Sequence, residues 1–161
     1  MTSRLFLLIT TLLTAAGIHA QEFTSGYLTF SVTDATAKTA EVTGHSLDTP
    51  AVAEIPASVS YEGTDYSVTS IGKKAFANYV QLSQISIPNS VEIIGDRAFF
   101  GCMGLTSIDV AEGNPVYCTV DGTLFTSDKT QLLQYPIGKE GTSYSVPEGV
   151  TVIGDYAFSN A

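Results

Sequence analysis

A six-residue pattern, Ile-Gly-x-x-Ala-Phe, recurs along this chain. It reads Ile71-Gly72-Lys73-Lys74-Ala75-Phe76, then Ile94-Gly95-Asp96-Arg97-Ala98-Phe99, then Ile153-Gly154-Asp155-Tyr156-Ala157-Phe158. An apolar set held at fixed spacing around a glycine, and repeated, constrains the fold strongly. Each unit is too small to bury its own apolar side and must stack on its neighbours.

The first two copies lie 23 residues apart, as do Leu82 and Leu105, which open the runs Leu82-x-x-Ile85-x-Ile87 and Leu105-x-x-Ile108-x-Val110. That period falls in the leucine-rich range. Apolar residues two apart share one face of a strand. Ile85 and Ile87 therefore point inward, as do Ile108 and Val110, while Gln84, Ser86, Ser107 and Asp109 point outward. Gly72, Gly95 and Gly154 are expected where the backbone needs either positive φ or close approach. The Ala-Phe pairs are expected to start short helical turns that drop each Phe into the stack.

The third copy is displaced, 59 residues after the second. The extra segment, about residues 112–145, reads as a β-hairpin turning at Asp128-Lys129, between Val120–Thr126 and Thr130–Pro136. Ser145-Val146-Pro147-Glu148-Gly149-Val150 then echoes Ser86-Ile87-Pro88-Asn89-Ser90-Val91. No Leu-x-x-Ile strand follows Phe158. The chain is therefore either a fragment or one that ends without the cap a solenoid normally needs.

Ahead of the array, residues 21–51 read as a β-hairpin, with Tyr27–Val32 and Ala40–Thr43 as its strands. Such a hairpin covers the open end of the core. Glu62-Gly63-Thr64-Asp65 between Val59-Ser60-Tyr61 and Tyr66-Ser67-Val68-Thr69 is a second hairpin turn. The repeats occupy residues 52–161, the last one incomplete. The overall expectation is a mostly β, leucine-rich-repeat-type solenoid of short strands with short helical turns, an N-terminal β-hairpin cap and a β-hairpin insert.

Residues 1–20 stand apart. Arg4 precedes an apolar run from Leu5 to Ile18, and Ala20 offers a small residue before a cut. The run is short of the ~20 apolar residues of a spanning helix, so it reads as a secretory signal peptide. The expected destination is outside the cytoplasm: secreted, cell-surface or periplasmic, with no membrane insertion after cleavage. Loss of Arg4 leaves 6 basic against 16 acidic residues, a formal charge of −10. Nucleic acid needs a basic surface to release its counterions, so that class of partner is excluded.

Little in the sequence carries chemistry. His45 is the one histidine outside the leader, in a Gly44-His45-Ser46 segment without a nucleophile elbow, and it reads as a solvated loop residue. Asp109 with Glu112 reads as a solvated acidic rim, since no EF-hand or Gly- and Asp-rich calcium repeat is present. Gly101-Cys102-Met103-Gly104 lacks the Lys and Ser/Thr of a phosphate loop. Cys102 and Cys118 are either bridged, as export allows, or free with Cys102 buried. With His45 they fall short of four zinc ligands. No cofactor and no catalytic residue is expected.

Several motifs taken together resemble a known family. Ile87-Pro88-Asn89-Ser90-Val91, Ile94–Phe99 and Gly101-Cys102-Met103-Gly104-Leu105-Thr106-Ser107-Ile108 are similar to the BspA-type leucine-rich repeat of bacterial surface proteins. The insert, with Gly113-Asn114-Pro115, Val120–Phe125 and Tyr135-Pro136, resembles one found within such arrays. The first unit departs from the pattern, with Ala77-Asn78-Tyr79 in place of Phe100-Gly101-Cys102. The resemblance implies an exported, non-enzymatic protein that binds a protein partner on host matrix or bacterial surface. The outward residues Gln84, Ser86, Ser107 and Asp109 are the expected partner-binding set, and Tyr117 with Phe125 in the insert is a rival site. Two alternatives stay open: a structural spacer or fragment of a longer surface protein without its own ligand and, more distantly, a surface hydrolase.

Overall fold

Stacking of the repeats is visible in the register of three sheets. The computed structural model describes residues 22–141 and 143–159; the leader reading of residues 1–20 lies outside them. The strands are β1 (Glu22–Ser25), β2 (Leu28–Asp34), β3 (Thr39–His45), β4 (Val52–Glu54), β5 (Ser58–Tyr61), β6 (Thr64–Ile71), β7 (Gln84–Ile87), β8 (Ile93–Ile94), β9 (Ser107–Val110), β10 (Tyr117–Val120), β11 (Thr123–Thr126), β12 (Gln131–Gln134) and β13 (Val152–Ile153). One sheet runs β1-β2-β3-β6-β5, with β8 also on β6; the second runs β4-β7-β9, and the third β10-β11-β12-β13.

The hairpins follow from local chemistry. β2 and β3 form an antiparallel pair, and β1 adds to β2. β5 and β6 turn at Glu62 and Gly63, both at positive φ (49° and 78°). β10 and β11 turn at Asp121 and Gly122 in the same way (48° and 71°). Two consecutive positive φ values give the turn whose twist matches that of the strands it joins. β11 and β12 pair antiparallel around Asp128-Lys129, and β10 extends the insert to three strands.

Between coils the pairing is parallel and keeps the repeat register. Val42 of β3 meets Ile71 of β6, which meets Ile94 of β8. Ile85 meets Ile108, and Ile87 meets Val110. Ile71, Ile85 and Ile108 are fully buried. An aromatic column follows the same axis. His45 stacks on Phe76 and Phe76 on Phe99, with ring centroids 5.8 Å apart at both steps. His45 is thus not a solvated loop residue: it ends β3 and supplies the aromatic ring of the cap. Tyr79, one period before Cys102, reaches back to donate a hydrogen bond to the Thr49 carbonyl. The departure in the first unit is therefore a contact to the cap.

The Ala-Phe segments are not helical; no helix occurs among the described residues. Each is a chain of single turns, with amide-to-carbonyl bonds three residues apart: Ala75 to Gly72, Ala77 to Lys74 and Tyr79 to Phe76, and likewise Ala98 to Gly95, Phe100 to Arg97 and Cys102 to Phe99. Lys74, Arg97 and Tyr156, at the same position of the pattern, have φ of 60°, 56° and 64°, and so do Asn78 (63°) and Gly101 (74°). A left-handed residue at every fourth position prevents a right-handed helix from propagating.

The pattern glycine is there for close approach and not for positive φ. A Cβ on Gly95 would lie 2.5 Å from the Lys73 nitrogen, and one on Gly72 3.0 Å from the Val42 carbonyl oxygen. Both sit where an amide crosses to the preceding coil, Gly95 to Ile71 and Gly72 to Val42 at 2.7 Å.

The stack includes a coil that carries no Ile-Gly-x-x-Ala-Phe. The third Ile-Gly-x-x-Ala-Phe does not stack directly on the second, because β12 comes between as a coil of its own. Leu132 pairs with Ile153, the Gly154 amide donates to the Leu132 carbonyl, and the Tyr135 amide donates to the Ala157 carbonyl. These are the bonds that Ile71 and Phe76 make to the second unit. Tyr135 stacks on Phe158 at 5.2 Å. Leu132 and Tyr135 thus fill the Ile and Phe places without the intervening Gly and Ala that mark a unit in sequence.

Two substitutions test the stack. Phe99 is 3% exposed, so Phe99→Ala should cost about 3–5 kcal/mol, read from denaturant melts; an unchanged midpoint would sink the stacking model. Gly95→Ala should cost about 1–3 kcal/mol by overpacking against the Lys73 backbone, whereas a merely flexible glycine would be stabilised by the same change.

Candidate functional site

The three-stranded parallel sheet β4-β7-β9 gathers the outward residues into rows. Val52 aligns with Gln84 and Ser107; Glu54 aligns with Ser86 and Asp109. All four residues expected from the sequence thus share one face, joined by Val52 and Glu54, which sequence reasoning did not include. The omission has a cause: Val52 lies 32 residues before Gln84, outside the 23-residue period. Gln84, Asp109, Val52 and Glu54 are exposed; Ser86 and Ser107 are half-buried. The alternate residues Ala53, Ile85 and Ile108 are fully buried and fix the sheet from below. The Ser107 hydroxyl donates to Asp109 Oδ1 at 2.9 Å. A shallow groove crosses the ends of the strands past Glu54, Ser86 and Asp109.

Side-chain hydroxyls close the edges of these strands. The Tyr27 hydroxyl accepts from the Glu54 amide at 3.0 Å and donates to the Glu54 carbonyl at 3.3 Å, meeting both backbone groups of that residue on the free edge of β4. On β9, Thr119 Oγ1 accepts from the Val110 amide and donates to the Ile108 carbonyl, at 3.1 and 3.0 Å. The Ile108 amide reaches the Gly122 carbonyl at 2.9 Å. The tip of the insert thus stands where the next strand of this sheet would pair. A Cβ on Gly122 would lie 2.8 Å from Ser107 Oγ, which is why Ser107 is only half-exposed. The face is bounded at three strands and is polar and mildly acidic, with Glu54 and Asp109 exposed on it. What it can offer a partner is shape and hydrogen bonding.

The rival pair in the insert packs inward. Phe125 is fully buried, in a cluster with Leu132 and Ala157. The Tyr117 hydroxyl accepts from the Ile94 amide at 3.0 Å and donates to the Glu92 carbonyl at 3.3 Å, plugging the edge of β8. Burial pushes its phenol up, against the opposing hydrogen bond from Ile94. Asn114 anchors the start of the insert. Its Nδ2 donates to the Pro88 and Val91 carbonyls, and its Oδ1 accepts from the Val116 and Tyr117 amides.

Both cysteines are free. The Cys102 thiol, fully buried, donates to the Phe76 carbonyl, and burial pushes its pKa up to about 11, against a hydrogen bond from the Tyr79 backbone. That suits a packed, inert thiol. Among the described residues no three His, Cys, Asp or Glu side chains gather as metal ligands, and no helix is long and apolar enough to cross a membrane.

Comparison with known proteins places this geometry. A family model described as the BspA type leucine-rich repeat region (6 copies) matches residues 59–130. A leucine-rich repeat protein from Bacteroides ovatus is similar in structure, with a TM-score of 0.58 at 31% identity over 84% of this chain and 38% of its own. One from Bacteroides capillosus aligns at a TM-score of 0.54 with 27% identity, over 83% of this chain and 96% of its own. A leucine-rich cell surface protein from Faecalibacterium prausnitzii aligns at 0.52 with 30% identity, over 59% of this chain. The chain spans about a quarter (24%) of that protein's length. No curated protein matches the chain.

One titration follows from the insert. Asp128 Oδ1 accepts from the Thr126 hydroxyl at 2.7 Å, the Thr130 amide at 3.0 Å and the Thr130 hydroxyl at 2.9 Å. These bonds, that from Thr126 first, hold its carboxyl below its ordinary value of 3.8. A folded value below the unfolded one means the stabilisation is present above the ordinary carboxylate range. It is lost as pH falls through the folded value. The stability gap between the protein and Asp128→Asn should therefore be constant near neutrality and close below about pH 4 in urea melts at stepped pH. A gap that widens in acid would contradict the assignment.

Proposed function

We propose that this chain, whose residues 59–130 are a BspA-type leucine-rich repeat region, is an exported protein-interaction module. Its ligand face is the outward side of β4-β7-β9. Gln84, Ser86, Ser107 and Asp109 make the contacts, with Val52 and Glu54 completing the two rows. The observation that carries this reading is the parallel register itself. It sets side chains from three coils in line at strand spacing, 4.7–4.9 Å between neighbours. A partner can then be met by many fixed groups with little ordering cost.

Support comes from three sides. Proteins of this repeat family act generally as interaction modules, and one structural neighbour is described as a cell surface protein. The apolar leader, Leu5 to Ile18, suits export to a cell-surface, secreted or periplasmic destination. The acidic balance disfavours nucleic acid and anionic lipid and is compatible with a protein partner. Adhesion, to host matrix or to another bacterial surface molecule, is the role that fits an exported module of this type. The repeats serve as the scaffold, with no catalytic step assigned to any residue.

The test is a pull-down. Bead-bound chain should retain specific proteins from host-matrix or bacterial surface extracts. A quadruple variant, Gln84→Lys, Ser86→Lys, Ser107→Lys and Asp109→Lys, should retain at least about ten-fold less while keeping the parent's circular dichroism. Equal retention would refute this face. Retention of nothing by the parent would favour the spacer reading.

A further inference from the structure

The turn side of the solenoid contains a gap in its hydrogen-bond ladder. In the first coil the amides of Lys74, Phe76 and Asn78 donate to the carbonyls of Asp96, Ala98 and Phe100 at 3.1, 2.9 and 2.7 Å. One repeat later the corresponding donors are Arg97, Phe99 and Gly101. Among the described residues none of these three amides has a hydrogen-bond partner. The third coil is short here, since Tyr135 follows Leu132 by three residues where Phe76 follows Ile71 by five. The carbonyls that would meet those amides are missing. A cleft of about 180 Å³ takes their place, with Asp96, Arg97, Gln131, Gln134, Asp155 and Tyr156 in its lining.

Arg97 crosses the cleft. Its Nη2 donates to the Tyr156 hydroxyl, and its guanidinium carbon lies 4.0 Å from the Tyr156 ring centroid. Its Nε is buried and has no hydrogen-bond partner; the nearest carboxylate oxygen, Asp96 Oδ2, is 4.0 Å away. The backbone amides of Arg97, Phe99 and Gly101 thus lack a backbone acceptor at the spacing of a main-chain ladder, and the first two lie in the cleft lining beside an Arg97 Nε that faces Asp96 at ion-pair distance without a hydrogen bond. The Arg97 Nε is the buried donor left unmet, and a ligand that supplies acceptors gains from meeting it and from replacing water at the amides.

We propose that this cleft binds an extended, basic peptide segment of a partner protein. Its main-chain carbonyls accept hydrogen bonds from the Arg97 and Phe99 amides and from Arg97 Nε. The segment completes the ladder as an added strand completes a sheet. Ladder spacing favours a polypeptide over a compact anion. Asp96 is ion-paired with Lys73 and Arg97, whereas Asp155, exposed on the rim, has no ion pair among the described residues, which favours a flanking lysine or arginine there over phosphate or carboxylate. The proposal rests on the chain being a protein-binding module, but it uses residues separate from the sheet face and is tested apart from it.

The probe is a pool of capped hexapeptides with lysine at both ends and serine, threonine and valine between, read by nitrogen-resolved NMR and amide exchange on the intact chain. In the free chain the Arg97 and Phe99 amides should exchange at least ten-fold faster than those of Phe76 and Asn78. The lysine pool should shift both and slow them ten-fold; a glutamate-ended pool, inorganic phosphate and simple monosaccharides should not. Arg97→Met, which removes the side-chain donor and keeps the main-chain amides, should weaken the response at least ten-fold, while the quadruple sheet-face variant should keep it. If Arg97→Met does not fold, Asp155→Lys on the exposed rim should weaken the lysine pool ten-fold. Arg97 and Phe99 amides already protected in the free chain would overturn the proposal. So would no response to the lysine pool, or an equal response to the glutamate pool or to phosphate.

Discussion

Beside the turn bonds that each coil makes within itself, a second set of backbone amides in this protein finds its acceptors in the neighbouring coil. Gly72 reaches Val42, Gly95 reaches Ile71, Gly154 reaches Leu132, and Phe76 reaches Ala98. Since a buried amide left unpaired is costly, no coil can hold its shape before its neighbour is in place. The pattern glycine is the geometric condition for this, because a Cβ at Gly95 would enter the Lys73 backbone. The same dependence raises the question of what happens where neighbours stop. At three strand edges the answer is a hydroxyl. Tyr27 on β4, Tyr117 on β8 and Thr119 on β9 each offer one oxygen that both accepts and donates, standing in for a residue of the missing strand. The amide and carbonyl met this way at each edge are withdrawn from pairing with another chain.

The insert follows the same logic. It stops the β4-β7-β9 sheet at Gly122 and Thr119, which leaves the sheet's flat side as the accessible surface. It then rejoins the stack through β12, whose Leu132 and Tyr135 stand in for Ile and Phe. The surface offered to a partner is thus set less by the outward residues than by the insert that limits how many coils contribute to it.

Much of this was legible in the sequence because period and alternation are local. Ile85 and Ile87 against Gln84 and Ser86, the hairpin signals at Glu62-Gly63 and Asp128-Lys129, and the β2–β3 cap all follow from residue type and spacing. What escaped depends on context. Short helical turns were expected after each glycine, but left-handed residues at Lys74, Arg97 and Tyr156 interrupt them, and none of these is a residue type that advertises positive φ. The coil at β12 carries no Ile-Gly-x-x-Ala-Phe and is recognised only by its bonds to Ile153 and Ala157. His45 reads as a loop polar residue until Phe76 is seen beneath it. Val52 and Glu54 join the face from outside the period. The four outward residues were placed on one surface by alternation alone; which molecule they meet is a property of that molecule as well.

The aromatic column has a further consequence. It runs from His45 through Phe76 to Phe99 and resumes with Tyr135 and Phe158, and the buried apolar residues divide into two clusters at the same place. In a quasi-one-dimensional stack, cohesion is only as strong as each junction. The insert bridges that break. Leu124 of β11 packs in the cluster of the first two coils while its neighbour Phe125 packs in the other, and Tyr117, Thr119 and Gly122 bond back to β8 and β9, so two adjacent residues of one short strand carry cohesion across the gap in the column.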